Sequence, residues 1–188
     1  MLALPLMLWD ILRLKSAWTT HIKTRRKAAF VAILAAVLAI PLDFISTDVL
    51  QRPELDLPFA KQLALSLLMT LCSFIVVPLL AGLASRGRHA LLMLAGVLTG
   101  SLLVEAVLVV VLTLAGAMGM APVQDGGSMV STVVVLASMV WALVILAFVL
   151  KTAGQLKPWQ SLLMVVVIFT CWQLVDILGR AYVMQWMP

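Results

Sequence analysis

The sequence predicts an all-α, polytopic transmembrane bundle of five spans, preceded by a short N-terminal interfacial amphipathic helix. The chain has 188 residues, of which 64% are hydrophobic and only 11% charged, and its mean hydropathy is +1.16. A soluble domain carries about 25% charged residues, so these few charges could not cover a water-facing surface. The basic residues lie in short segments between long apolar runs. This pattern is typical of a membrane protein and argues against nucleic-acid binding.

Residues 1–27 form the first predicted unit. Met7, Ile11, Leu14 and Trp18 recur along one face of a helix. This spacing predicts a short amphipathic helix that lies in the cytoplasmic interface of the membrane.

A basic hinge, 21-HIKTRRK-27, follows this helix. We expect it to contact anionic lipid headgroups. The same run serves equally well as a plain topogenic signal, and the sequence leaves both interpretations open. Its membrane-surface basic residues are Lys23, Arg25, Arg26 and Lys27.

Residues 28–188 form the predicted transmembrane domain. Five apolar segments are long enough to cross about 30 Å of hydrocarbon at about 1.5 Å per residue. Because backbone groups in lipid must be satisfied within the segment, these spans are predicted to be helices. The segments are residues 28–46, 60–84, 90–117, 129–150 and 159–183.

The basic residues also predict the orientation. Ten of the 13 Lys and Arg residues lie before the first span, between spans two and three, or between spans four and five. The other side has only Arg52, Lys61 and Arg180. By the positive-inside rule, we expect a multi-pass protein of the bacterial inner (cytoplasmic) membrane, with its N-terminus cytoplasmic and its C-terminus periplasmic. Trp18 is expected in the aromatic belt at the cytoplasmic boundary.

No catalytic pattern is present in the sequence. It lacks the nucleophile-elbow, zinc-protease and phosphate-loop motifs. Cys72 and Cys171 both lie inside apolar runs, without a CxxC or Cys/His cluster. The acidic loop 48-DVLQRPELD-56 lacks the spacing of a calcium loop and is predicted to be solvated. We therefore predict no enzyme, no cofactor and no metal site.

The third span combines small and polar residues. Gly96 and Gly100 form a GxxxG motif, which lets two helices approach closely. Ser101 and Glu105 share a face, and Gly96 and Glu105 are about 180° apart around the helix. Neither the small-residue side nor the polar side is suited to contact with lipid, so this helix is predicted to be central, with neighbouring helices on both sides.

Glu105 is the acidic residue in the middle of that span. Thr70, Ser138 and Gln173 are expected at comparable depth, whereas no Lys, Arg or His reaches it. An isolated carboxylate in low dielectric takes up a proton. Three interpretations remain open. In the first, protonated Glu105 stabilises the bundle by a hydrogen bond to Ser101 or Gln173. In the second, Glu105 pairs with a basic or polar group on another membrane subunit. In the third, Glu105 belongs to a proton- or cation-coupled pathway.

The opening 4-LPLMLWDILRL-14, followed by five predicted spans, resembles short proteobacterial membrane proteins of the Yip1-like kind. That resemblance implies five helices with a cytoplasmic N-terminus. Eukaryotic members of that family act as membrane-trafficking adaptors. The resemblance implies no catalytic residue. The chain departs from the pattern by inserting 16-SAWTTHIKTRRK-27 before the first span.

These observations favour an inner-membrane accessory or scaffold subunit that acts through helix packing. Its expected partners are membrane lipids, with anionic headgroups at the cytoplasmic face, and other integral membrane proteins or a second copy of itself. The alternative is a small proton- or cation-coupled transporter, or a lipid-handling component, that uses Glu105. Transporters commonly have repeats or several buried polar groups. The single intramembrane acid here therefore counts against the pathway.

Overall fold

The computed structural model describes residues 3–22, 24–49, 59–85, 89–117 and 129–186. In these ranges the protein is helical, without a strand. The helices are α1 (Ala3–Leu12), a 3₁₀ helix (Ser16–His21), α2 (Arg25–Val49), α3 (Phe59–Ser85), α4 (Ala90–Ala117), α5 (Met129–Gly154) and α6 (Pro158–Trp186).

Four helices contain segments long and apolar enough to cross a membrane. These segments are Ala60–Ala84, Ala90–Val111, Leu136–Gly154 and Pro158–Tyr182. They coincide with predicted spans two to five, and they make the fold compatible with a membrane protein. α2 is a 25-residue helix at the position of the first predicted span. Pro41 and Pro78 lie inside α2 and α3, and both helices continue through them.

α4 is the central helix of the bundle. It packs most extensively against α2, and also against α5, α3 and α1. Half of its apolar segment is buried, compared with 22% for the segments in α3 and α6. This arrangement confirms the prediction that α4 has neighbours on both its small-residue side and its polar side.

Basic residues mark one end of the bundle, here called the basic end. α2 begins there with Arg25, Arg26 and Lys27, which are all exposed. Thr24 caps this helix, since its Oγ1 accepts a hydrogen bond from the Lys27 backbone N–H at 3.3 Å. Lys23, the fourth predicted headgroup contact, lies outside the described residues.

The N-terminal helix differs from its prediction in length. α1 ends at Leu12, and the Lys15 N–H then bonds to the Asp10 carbonyl at 2.8 Å. Leu14 has φ 52°, so the helix closes in a Schellman-type turn with a left-handed residue. Leu14 is 45% exposed and does not join the predicted stripe. The chain reverses instead, and the 3₁₀ helix returns Trp18 to the bundle.

The surroundings of α1 also differ from the prediction. Met7, Ile11 and Trp18 have no exposed surface, and the neighbours of this N-terminal unit are α4 and α5. Protein therefore covers this stripe, and the predicted placement of the helix in the membrane interface is not confirmed. On the other side of α1, the exposed Leu6 and Trp9 are apolar as well.

The N-terminal unit lies beside α4, between the basic end and the middle of the bundle. Trp18 lies beside Gly96, whereas Leu8 lines a cavity with Leu102 and Ala106. At about 1.5 Å per residue, these two places on α4 are about 9–15 Å apart.

Candidate functional site

Gly96 forms a notch on α4 that the Trp18 ring fills. A Cβ atom at position 96 would overlap Val149 Cγ1 and would lie 2.7 Å from Trp18 Cη2. Only glycine leaves room for both side chains. The Trp18 indole Nε1 donates a hydrogen bond to Thr152 Oγ1 on α5 at 2.9 Å. Three elements that are distant in sequence are thereby joined at one point near the basic end.

Gly100 lies one turn farther along the same face of α4. A Cβ atom there would be 3.2 Å from Ile145 Cγ2 on α5. The GxxxG motif is therefore used within the chain, where it lets α5 and Trp18 approach α4. This contact within the chain occupies the small-residue face of α4.

α4 contains two buried hydroxyl groups, which lie on different faces of the helix. Thr99 is completely buried, and Ser101 Oγ is buried. Within the described residues, neither hydroxyl has a hydrogen-bond partner. Glu105 is half-buried, and its Oε2 atom is enclosed. The predicted hydrogen bond between Glu105 and Ser101 is therefore not formed.

The other residues predicted at this depth lie on three different helices. Thr70 is half-buried on α3, and its Oγ1 donates to the Ser66 carbonyl at 2.9 Å within the same helix. Ser138 is half-buried on α5. Gln173 is exposed on α6, whose main neighbours are α3 and α5 rather than α4. The structure therefore does not bring the Gln173 amide to Glu105.

A second hydrogen bond between distant parts of the chain joins α3 and α6, and it was not predicted from the sequence. Trp172 Nε1 donates to Ser73 Oγ at 2.8 Å, and Ser73 Oγ donates to the Met69 carbonyl at 3.2 Å. A tryptophan deep in an apolar span was the available signal, because a buried indole N–H needs an acceptor. Near this bond, Gly179 lets α6 approach Leu65 and Leu68 of α3.

An apolar cavity of about 350 Å³ lies between α1, α2 and α4. Leu8, Leu38, Leu42 and Leu103 are among its lining residues, together with Pro41 in the middle of α2. Aliphatic side chains can bind hydrocarbon, but they provide no group for acid–base or metal chemistry. Among the described residues, no cluster of His, Cys, Asp and Glu could hold a metal ion.

Comparison with known proteins adds no homologue. No protein-family model matches the chain, and neither a curated protein nor a solved structure resembles it significantly.

Proposed function

We propose that this protein is an accessory or scaffold subunit of a bacterial-type inner membrane, and that it acts by packing its helices against other membrane proteins or a second copy of itself. In this proposal α2 is the first of five spans, the basic end is cytoplasmic and the C-terminus is periplasmic. The ten basic residues of the cytoplasmic segments support that orientation. The Yip1-like resemblance remains part of the same proposal.

The exposed amide of Gln173 is the observation that best supports this function. Gln173 lies three residues beyond the centre of the apolar segment Pro158–Tyr182. In hydrocarbon no water is present to satisfy an amide, so a polar group there needs a protein partner. Because α6 turns this side chain away from the bundle, the partner has to come from outside it.

The experiment is a pull-down of the full chain in native nanodiscs or a lipid-preserving detergent, followed by mass measurement of the intact complex. We expect an assembly larger than the 20.4 kDa chain. A strictly monomeric species under these conditions would contradict the proposed function.

A further inference from the structure

The exposed face of α6 has the spacing of a coiled-coil seam. Its residues follow one another at intervals of four, three, four, three and four, which is the heptad pattern that places side chains along one line facing a second helix. We call this set the α6 seam. It consists of Trp159, Leu163, Val166, Thr170, Gln173 and Ile177.

Every member of the α6 seam is exposed. The exposed fractions are 61% for Trp159, 59% for Val166 and 61% for Ile177. The opposite side of α6 is occupied within the chain, since Ser161 and Ile168 are buried. The seam is therefore the side of α6 that its own bundle leaves uncovered.

The centre of the α6 seam is polar. The apolar segment Pro158–Tyr182 has Thr170 at its midpoint, and Gln173 lies about 4.5 Å farther along the helix. Within the described parts of the chain, the side-chain amide of Gln173 has no hydrogen-bond partner. On α3, and on α5 over residues 133–150, every described exposed residue is apolar, Ile75 and Val140 among them. A polar centre thus distinguishes the α6 face from those faces.

A glutamine amide is complementary to itself. Its NH₂ group donates and its carbonyl oxygen accepts, so two Gln173 side chains across a two-fold axis can satisfy each other. No charged residue lies on the seam to require an opposite charge from a different protein. Beyond it, Arg180 pairs with Asp176 on the same helix at 2.9 Å. A single polar residue in a heptad seam also fixes register and oligomeric state.

We propose that two copies of this chain pair in parallel through the α6 seam, with the two Gln173 amides hydrogen-bonded at the middle of the membrane. This inference rests on the proposed packing function and specifies the partner. The Gly96 notch takes no part in the pairing, because Trp18 and Val149 fill it within each copy.

Cysteine cross-linking in native membranes tests the geometry. The full chain, with Cys72 and Cys171 replaced by serine, would carry a single cysteine, either Val166→Cys or Ile177→Cys. A two-fold axis brings each of these residues close to its own copy, so we expect a disulfide-linked dimer on mild oxidation. The matched controls Ile75→Cys and Val140→Cys are similarly exposed, on α3 and α5, and should stay monomeric.

Fluorescence energy transfer between labelled copies in liposomes measures how much the Gln173 amide contributes to the pairing affinity. Gln173→Leu should weaken pairing about three- to twentyfold, the range that corresponds to a hydrogen bond between membrane helices. Gln173→Asn keeps the donor and the acceptor and should largely retain pairing. An unchanged affinity in Gln173→Leu, or equal cross-linking at the control positions, would overturn the proposal.

The same samples distinguish a failure of the second-copy proposal from a failure of the proposed packing function. If Val166→Cys cross-links to a different membrane protein and never to its own copy, the second-copy proposal fails while the packing function stands. If the wild-type chain is recovered alone as a monomer, both fail.

Discussion

Trp18 and Thr152 are 134 residues apart in the chain and are joined by a hydrogen bond of 2.9 Å from the indole Nε1 to Oγ1. The Trp18 ring has no exposed surface. The contact therefore fixes the N-terminal unit to the end of α5, next to the Gly96 notch on α4.

The first prediction concerns this contact. Trp18→Ala should lower bundle stability by about 3–5 kcal/mol, because it removes a large buried side chain and leaves a cavity. Thr152→Val keeps the volume and removes the hydroxyl that accepts from Trp18 and donates to the Phe148 carbonyl, so its effect should be about 0.6–1.7 kcal/mol. Thermal unfolding in mild detergent measures both. Equal effects of the two variants would contradict the packing role of the ring.

The second prediction compares glycines. Gly96→Ala should destabilise the bundle strongly, since its Cβ would overlap Val149 and crowd Trp18. Gly100→Ala should have a smaller effect, because its nearest contact is 3.2 Å. Gly82→Ala is the matched control in α3, with nothing within 4 Å of the added Cβ. It should be neutral or slightly stabilising because alanine is the better helix former.

A rescue experiment checks that crowding is the cause. Val149→Ala should restore part of the stability lost in Gly96→Ala, since it removes the overlapping methyl groups. If the effects of the two substitutions on stability are simply additive, crowding at the Gly96 notch is not the cause.

The third prediction concerns Glu105. A charged carboxylate near the centre of a bilayer costs about 2.5 kcal/mol or more, so we expect this group to be protonated or bound to a partner. If it is structural, Glu105→Gln should assemble almost normally and Glu105→Leu should loosen the complex modestly. Nanodisc assembly and thermal stability are the measurements.

Two other outcomes for Glu105 would select different functions. If both substitutions disrupt the complex while Glu105→Asp partly restores it, a cationic partner is required. Normal assembly of Glu105→Gln with lost ion-dependent flux would favour the transporter alternative over the scaffold.

The fourth prediction concerns the end of α5. Gln155 has φ 51°, and the Leu156 N–H bonds to the Lys151 carbonyl at 3.1 Å, which is the geometry of a Schellman cap. Glycine adopts this conformation without a Cβ penalty, so Gln155→Gly should raise stability by a few tenths to about 1 kcal/mol. Gln160→Gly, in the first turn of α6, provides the contrast and should lower the unfolding temperature, because it weakens the helix and removes the acceptor of the Lys157 N–H.

The fifth prediction is the topology. Reporter fusions within residues 47–59 should give a periplasmic signal, whereas fusions between α3 and α4 and between α5 and α6 should give cytoplasmic ones. A cytoplasmic signal from residues 47–59 would reverse the proposed orientation and remove α2 as a span.

Local patterns were sufficient to predict the long helices. Hydropathy alone located α3 to α6, because any segment crossing lipid must be both apolar and helical. The angle between Gly96 and Glu105 also predicted a central α4, because neither face suits lipid. These features depend only on residues close together in the sequence.

Contacts between distant residues were not predictable in the same way. Trp18 was expected in the aromatic belt because its sequence neighbourhood is basic, whereas its position depends on Gly96 and Thr152. Gln173 was expected near Glu105 on depth alone, but depth does not determine which side of α6 faces the bundle. α1, in which nine of ten residues are apolar, was a usable signal, since an apolar segment too short to span is typical of a buried, re-entrant or interfacial one.

The Trp18 contact also has a consequence for biosynthesis. Trp18 precedes its acceptor Thr152 by 134 residues, which take about 7–27 s to translate at about 5–20 residues per second. During that interval the indole N–H has no acceptor on α5, and the Val149 side of the Gly96 notch is missing. The N-terminal unit therefore completes its native contacts only after α5 has been made.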